Sequence, residues 1–166
     1  RRPAVDAMLR LVNCIITCET KVNKSDLEHD DYSWIMDVDE QGIDMLLKDY
    51  GISKTDLLIG IHPGSKHEYT RWLSERFAQL GDELVLKYNA KIIFTGSVND
   101  VSLVKEIASL MKKDAILLSG RTSLRQLAAL IKRCRIYISV DTGPLHMAVA
   151  VRTPTISLFS GRDFSE

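Results

Sequence analysis

One stretch of the chain, residues 136–148, combines residue types that suit an anion and a hydroxyl group. It opens as an apolar, β-branched run typical of a strand buried on both faces, and it closes as a helix-compatible run. In the turn between them Gly143 lets a ligand approach the backbone, and the proline after it suits the first turn of a helix. The free N–H groups of Thr142, Gly143 and Leu145 should point out of the helix N-terminus, where the helix dipole favours an anion.

Two side chains flank this turn. Asp141 could bind a hydroxyl group through its carboxylate, and His146 could face a phosphate through its imidazole. The alternative is an ordinary strand–helix connection in which Asp141 or Thr142 is the N-cap residue. The turn alone leaves both interpretations open.

A second stretch, residues 63–72, supplies cations and hydroxyls. Arg71 could bind a diphosphate as a fork and Lys66 as a point charge. Ser65 and the backbone amides near Gly64 could bind phosphate oxygens. The alternative is a solvated loop whose tryptophan packs beneath the following helix.

Other chemistry-bearing residues indicate no further site. His62 and His67 are interpreted as structural or exposed residues. The sequence contains no P-loop, no Gly-x-Gly-x-x-Gly after the first strand and no Gly-x-Ser-x-Gly. The cysteines Cys14, Cys18 and Cys134 lie in apolar segments, so we expect them reduced and inside the core, and we expect no metal site.

Hydrophobic periodicity predicts the elements that position both stretches. Helices are predicted at 4–18, 39–50, 74–88, 100–111 and 124–132, and strands at 57–61, 90–95, 115–118, 136–140 and 154–159, with a short strand near 34–36. Strands that alternate with helices at this spacing predict right-handed crossovers and a parallel sheet covered on both faces. The predicted fold class is therefore α/β, a doubly wound, Rossmann-like parallel sheet.

Such a sheet binds its ligand beyond the carboxyl ends of its strands. Small residues, hydroxyls and cations follow the first four predicted strands, in loops that contain Gly64, Gly96, Gly120 and Asp141. We therefore expect these four loops to form one rim around the ligand.

Composition restricts the class of partner. The 166 residues are 45% hydrophobic with a formal net charge of zero, which describes a globular domain and gives no electrostatic signal for nucleic acid. No apolar run reaches the length of a membrane span, and no secretory signal is visible. Because the chain lacks an initial Met and ends just after an apolar run, we expect it to be a piece of a longer protein.

Several motifs together resemble one family in their order and spacing. They are Ile61-His62-Pro63-Gly64-Ser65, Arg71-Trp72, Phe94-Thr95-Gly96, Leu118-Ser119-Gly120-Arg121-Thr122-Ser123-Leu124, and Asp141-Thr142-Gly143-Pro144-Leu145-His146-Met147-Ala148 followed by Pro154. This combination resembles the carboxyl-terminal half of glycosyltransferase family 9, the ADP-heptose:lipopolysaccharide heptosyltransferases. The opening helix is similar to the segment that joins the two halves of that family.

The resemblance implies a GT-B architecture of two Rossmann-like domains. This half would bind the donor, and an amino-terminal half, mostly absent here, would bind the acceptor and supply the catalytic base. Residues 1–55 would be interdomain helices and linker, and residues 56–166 a donor-binding domain truncated at its carboxyl end. The implied donor-binding residues are Gly64, Ser65, Lys66, Arg71, Gly96, Thr122, Asp141, Thr142, Gly143, Leu145 and His146.

The implied reaction transfers heptose from ADP-heptose to a lipopolysaccharide core sugar with inversion, without a metal or a cofactor. Its lipid-linked acceptor implies a cytoplasmic enzyme with peripheral contact at the inner face of the inner membrane. One departure concerns Thr70, which stands where the family commonly has a lysine. Lys66 or Arg71 would then supply the missing charge.

Two alternatives keep the fold and change the function. One is a nucleotide-binding module without catalysis, and the other is a GT-B transferase with a UDP-sugar or GDP-sugar donor. We expect the chain by itself to bind the donor nucleotide weakly and to catalyse no transfer.

Overall fold

The structure, a computed structural model, describes residues 3–17 and 37–159. Its helices are α1 (Pro3–Thr17), α2 (Asp37–Asp49), α3 (Ser74–Tyr88), α4 (Val101–Leu110), α5 (Leu124–Arg133) and α6 (Gly143–Ala150), and its strands are β1 (Leu58–His62), β2 (Lys91–Phe94), β3 (Ile116–Leu117), β4 (Ile136–Val140) and β5 (Thr155–Leu158). Every helix and strand predicted within these ranges is present, with shifts of a few residues at the ends. The short strand predicted near 34–36 lies outside the described residues.

The five strands form one parallel sheet in the order β3-β2-β1-β4-β5. β1 and β4 pair in its centre, where Ile59 lies opposite Ile136 and His62 opposite Ser139. The chain runs outward from β1 to β3 on one side and from β4 to β5 on the other, so the strand order reverses between β1 and β4. This is the switch point at which open α/β sheets bind ligands. The predicted fold class is confirmed.

Two apolar cores cover the two faces of the sheet. Helices α1, α3 and α4 pack on the face that carries Ile59 and Ile61, and helices α2, α5 and α6 pack on the face that carries Leu58 and Tyr137. All residues of β1 and β4 are buried. Continuous apolar strands of this kind occur where both faces of a parallel sheet are covered, because alternate side chains must enter different cores.

The helices before residue 55 pack on the same sheet as those after it. Val12 of α1 lies in one core beside α3, and Leu47 of α2 lies in the other core beside α5. Arg125 and Lys132 of α5 make ion pairs with acidic residues of α2 at 3.0 and 2.6 Å. The predicted domain boundary at residues 55–56 stays a prediction, since helices from both of its sides cover the sheet.

The cysteines are only partly as expected. Cys134 is buried, with its Sγ donating to the carbonyl oxygen of Leu130 at 3.3 Å. Cys14 is exposed, because it falls on the face of α1 away from Val5 and Val12. Cys18 lies outside the described residues.

Candidate functional site

A cavity of about 660 Å³ opens at the carboxyl ends of β1, β2, β4 and β5. Seven residues predicted for the site lie on its wall: Gly64, Ser65, Lys66, Arg71, Asp141, Thr142 and Gly143. The lining is completed by His62, His67, Thr70, Ser97, Asn99, Asp100, Leu158 and Phe159. The two stretches singled out in the sequence therefore face the same cavity.

The rim of this cavity differs from the predicted one. The loops after β1, β2 and β4 line it, whereas the loop after β3, with Gly120 and Thr122, does not, and the end of β5 takes its place. The strand order explains the difference. β3 is an edge strand that β2 separates from the β1–β4 junction, while β5 pairs directly with β4.

Four other predicted residues are not among those that line the cavity. Thr122 is half-buried in the loop before α5. Gly96 lies under a lining residue, since a Cβ there would come within 2.8 Å of the Cβ of Asp100. Leu145 is buried in the first turn of α6, and His146 is exposed after it. The roles of these four toward a ligand stay predictions.

The loop after β1 is shaped by Arg71. Its guanidinium donates from Nε at 3.1 Å and from Nη2 at 2.8 Å to the carbonyl oxygen of Ser65, and Nη1 lies 3.8 Å from Oε1 of the exposed Glu68. The fork predicted for a diphosphate is thus partly used within the protein. Arg71 keeps its charge at the cavity wall and also fixes the backbone beside Lys66.

A pair of hydroxyls completes this loop. Thr70 Oγ1 donates to the carbonyl oxygen of His67 at 2.7 Å, and Ser65 Oγ lies 2.5 Å from Thr70 Oγ1. A hydroxyl has one proton, so Ser65 donates to Thr70 in this pair. The Ser65 proton is therefore committed to the loop and is not available to an anion.

The loop after β2 is held by Asp100, which is buried. Asp100 Oδ2 accepts from the backbone N–H of Ser97 at 2.8 Å and from Ser97 Oγ at 2.6 Å, and these bonds cap a 3₁₀ turn that leads into α4. The sequence interpretation missed Asp100 and Asn99 as lining residues. Their position three to four residues beyond Gly96, in the loop after a predicted strand, was the signal available.

The turn after β4 is close to its prediction, with one correction. Thr142 has extended backbone as N-cap residue, and a proline follows within the first turn of α6. The N–H of Leu145, predicted to be free, donates to the carbonyl oxygen of Thr142 at 3.0 Å because the first turn tightens. The N–H of Gly143 has no acceptor among the described residues, and a Cβ at Gly143 would meet nothing within 4 Å. Gly143 is therefore the point where a ligand can come close to this backbone.

Asp141 and His146 form an exposed pair beside the turn. His146 Nε2 lies 3.9 Å from Asp141 Oδ1, and the two side chains are 78% and 57% exposed. Both side chains are thus accessible to solvent, and their roles as a hydroxyl-binding carboxylate and a phosphate-facing imidazole stay predictions.

The floor of the cavity contains a buried histidine. His62 Nδ1 lies 3.1 Å from Thr95 Oγ1, which in turn lies 2.6 Å from the hydroxyl of Tyr137. Burial lowers the pKa of His62 to about 4, although the nearby Asp100 carboxylate opposes this, and burial raises the pKa of Tyr137. His62 is therefore neutral at neutral pH. The sequence favoured a structural or exposed role for it.

A second groove is lined by residues that precede β1 and β4 in the chain. It has a volume of about 710 Å³ and is lined by the end of α2 and the residues that follow, with Arg133. Its lining contains one glycine, Gly51, but no residue at the carboxyl end of a strand, so we assign the site to the cavity above. Within residues 3–17 and 37–159 no group of His, Cys, Asp and Glu is placed to hold a metal ion, and no helix has the length and apolar character needed to cross a membrane.

A doubly wound parallel sheet with a polar cavity at its switch point defines a ligand-binding domain of the Rossmann-like class. The family model of glycosyltransferase family 9 (heptosyltransferase) matches residues 2–164. The chain belongs to this family of transferases.

Individual relatives agree with this assignment. Lipopolysaccharide heptosyltransferase 3 of Escherichia coli (strain K12) is 34% identical over 110 residues, which cover 65% of this chain and 32% of the relative. The chain spans about a third of the length of curated relatives that it matches.

Solved structures share the fold. The glycosyl transferase family 9 structure from Veillonella parvula DSM 2008 superposes with a TM-score of 0.70 at 28% identity, over 75% of this chain and 37% of that one. The structure of E. coli ADP-heptose lps heptosyltransferase II superposes with a TM-score of 0.66 at 23% identity, over 74% of this chain and 38% of that one.

Proposed function

We propose that this chain is the donor-binding part of a heptosyltransferase that extends the core of lipopolysaccharide. Its cavity would hold ADP-heptose, and the acceptor sugar together with the catalytic base would come from an amino-terminal half outside these 166 residues. The enzyme would work in the cytoplasm with peripheral contact at the inner face of the inner membrane, where a lipid-linked acceptor is found. The observation that carries the proposal is the convergence of Lys66, Arg71 and the Gly143 amide on one cavity at the sheet switch point.

The leaving group explains why these residue types suit the reaction. The acceptor oxygen attacks the anomeric carbon from the face opposite ADP, the bond from that carbon to the phosphate oxygen breaks, and the sugar centre inverts. The acceptor proton passes to the base of the other half. Negative charge grows on the departing diphosphate, and two cations with a helix N-terminus can stabilise it without a metal or a cofactor.

The two acidic residues of the site, Asp100 and Asp141, would have different roles. Oδ2 of Asp100 accepts two hydrogen bonds from Ser97, so this carboxylate holds the loop after β2. Asp141 is exposed and lies just before the amino end of α6. Its carboxylate would accept hydrogen bonds from heptose hydroxyls, next to the diphosphate held at Gly143.

Calorimetric titration with ADP, UDP, GDP and ADP-heptose tests this proposal. We expect ADP to bind about tenfold more tightly than UDP or GDP. We expect Asp141→Ala to lower the affinity for ADP-heptose more than the affinity for ADP. Asp114→Ala is the matched control, because Asp114 is exposed before β3 at the opposite edge of the sheet. Equal affinity for the three nucleotides would contradict ADP-heptose as the donor and favour another nucleotide sugar. If Asp141→Ala lowered the affinities for ADP and ADP-heptose equally, Asp141 would not contact the sugar.

A further inference from the structure

His62 lies at the end of β1 and belongs to the cavity floor, but only 6% of its surface is exposed. Its position is set by residues of β1 and β4 and by Thr95, which directly follows β2. Because side chains alternate along a strand, His62 points to the same face of the sheet as Gly60 on its own strand and Tyr137 on β4.

The ring of Tyr137 crosses β1 above Gly60. A Cβ at Gly60 would come within 2.5 Å of Cδ2 and 2.8 Å of Cε2 of that ring, so only glycine leaves room for it. The crossing carries the Tyr137 hydroxyl from β4 to the end of β2, where it meets Thr95 Oγ1 at 2.6 Å. Thr95 then lies 3.1 Å from His62 Nδ1. Tyr137, Thr95 and His62 thus form one buried chain of hydrogen bonds, called the relay below.

Counting the protons of this relay fixes the state of the imidazole. The Tyr137 hydroxyl has no other partner among the described residues, and Tyr137 is fully buried, so its proton must go to Thr95. The Thr95 proton then has His62 Nδ1 as its acceptor. The reverse direction would leave the tyrosine proton buried without an acceptor, which is the costly arrangement.

An imidazole that accepts at Nδ1 and is neutral carries its proton on Nε2. The two ring nitrogens point in different directions, so Nε2 is directed away from Thr95, and no described residue forms a hydrogen bond with it. We propose that the Nε2–H of His62 is a fixed, uncharged hydrogen-bond donor on the cavity floor that contacts an oxygen atom of the bound nucleotide sugar, with Thr95 and Tyr137 as its positioning residues. This rests on the proposed function for the identity of the ligand.

The nearby charges agree with a donor that stays neutral. Burial keeps the imidazole pKa near 4, and Asp100 is the acidic group close enough to act against it. Lys66 and Arg71, on the loop that follows β1, line the same cavity. A neutral donor adds direction to ligand binding, whereas these two cations supply the charge.

Nuclear magnetic resonance of the ¹⁵N-histidine-labelled 166-residue chain at pH 7 tests the tautomer and the contact together. We expect protonated Nε2 and unprotonated Nδ1 at His62, and a shift of the Nε2–H signal on saturation with ADP and with inorganic pyrophosphate. In Thr95→Val/Tyr137→Phe, which removes both hydroxyls together and so leaves none unpaired, the fixed tautomer should become a mixture. A charged ring, a proton on Nδ1, or an unchanged double variant would overturn the proposal.

Binding measurements separate this proposal from the proposed function. His62→Phe should lower the affinity for ADP about tenfold. His62→Gln keeps an N–H near the position of Nε2, so its affinity for ADP should stay close to that of the wild type. Tight ADP binding with an unmoved Nε2–H would overturn the contact and leave the donor domain standing. If the Nε2–H signal shifts with pyrophosphate but the chain binds ADP no more tightly than UDP or GDP, the contact is supported and ADP-heptose as the donor is contradicted. Absence of any binding would overturn both.

Discussion

Gly64, in the loop after β1, lies so close to Asp100, in the turn after β2, that a Cβ at position 64 would fall on the Asp100 carboxylate. Gly143, on the opposite wall of the cavity, has open space where its Cβ would be. Two glycines of one site thus have different reasons to be glycine. The first makes room for the protein and the second for a ligand.

Alanine at the two positions should therefore give opposite results. Gly64→Ala should lower the free energy of unfolding by about 1–3 kcal/mol, because overpacking forces the Asp100 cap to shift. Gly143→Ala should leave the midpoint of urea unfolding unchanged and lower the affinity for ADP about tenfold, because only the ligand meets the new methyl group.

Gly42→Ala is the matched control for this pair. It lies inside α2, where a Cβ meets nothing, so it should raise stability by about 0.5–1 kcal/mol and leave ADP binding unchanged. ADP binding by Gly143→Ala equal to wild type would show that no ligand approaches that backbone.

Arg71 should resist replacement by lysine. Arg71→Lys keeps the charge but cannot donate two parallel bonds to the Ser65 carbonyl, so the loop that carries Lys66 loses its brace. We expect pyrophosphate to bind about fivefold to tenfold more weakly by calorimetry. Arg135→Lys, at the exposed amino end of β4, is the control and should behave as wild type. An Arg71→Lys chain with full affinity would refute the bracing role.

Lys66 should provide the anion's main side-chain charge, since the Thr70 hydroxyl is bonded within the loop and the Arg71 guanidinium donates to the carbonyl oxygen of Ser65. Lys66→Met should weaken ADP about tenfold and reduce the dependence of its affinity on salt. Lys91→Met, at the amino end of β2, is the control. If Lys66→Met and the control show the same affinity and the same salt dependence, the charge must come from another residue.

His62 should make the fold sensitive to acid. Its pKa is about 4 in the folded chain and 6.5 in the unfolded chain, so below pH 6.5 the unfolded state takes up a proton that the folded state excludes. The stability that neutral His62 contributes is complete above pH 6.5 and is lost as the pH falls toward 4. Between pH 7.5 and 5.0 this loss should be about 2 kcal/mol.

Urea unfolding at the two pH values measures this loss. In His62→Gln the loss should be smaller by about 2 kcal/mol than in wild type, while the exposed His67→Gln should retain it. The same pH dependence in wild type and His62→Gln would place the acid sensitivity elsewhere.

The fold could be predicted because local and global signals agree. Each buried strand is a continuous apolar run, and Ser123 with Gln126 caps α5 through reciprocal hydrogen bonds, as a sequence pattern at this spacing indicates. The sequence also grouped residues 64–71 with 141–143, because loops after parallel strands share one edge of the sheet.

The rest depended on the strand order. Thr95 and Tyr137 reach His62 only because β1 lies between β2 and β4, and β5 replaces β3 at the cavity for the same reason. Local spacing carries no information about which strand lies beside which. The commitment of Arg71 and Ser65 to their own loop was equally hidden, since a fork and a hydroxyl suit a carbonyl oxygen as well as a phosphate.

We expect the donor nucleotide to bind in the cavity at the β1–β4 switch point. Mapping amide chemical-shift changes in the ¹⁵N-labelled chain during titration with ADP tests this. We predict the largest changes at Lys66, Ser97 and Gly143, with little change at Met45 and Lys54 in the groove beside α2. Largest changes in that groove, with an unperturbed Gly143, would contradict the assignment of the site.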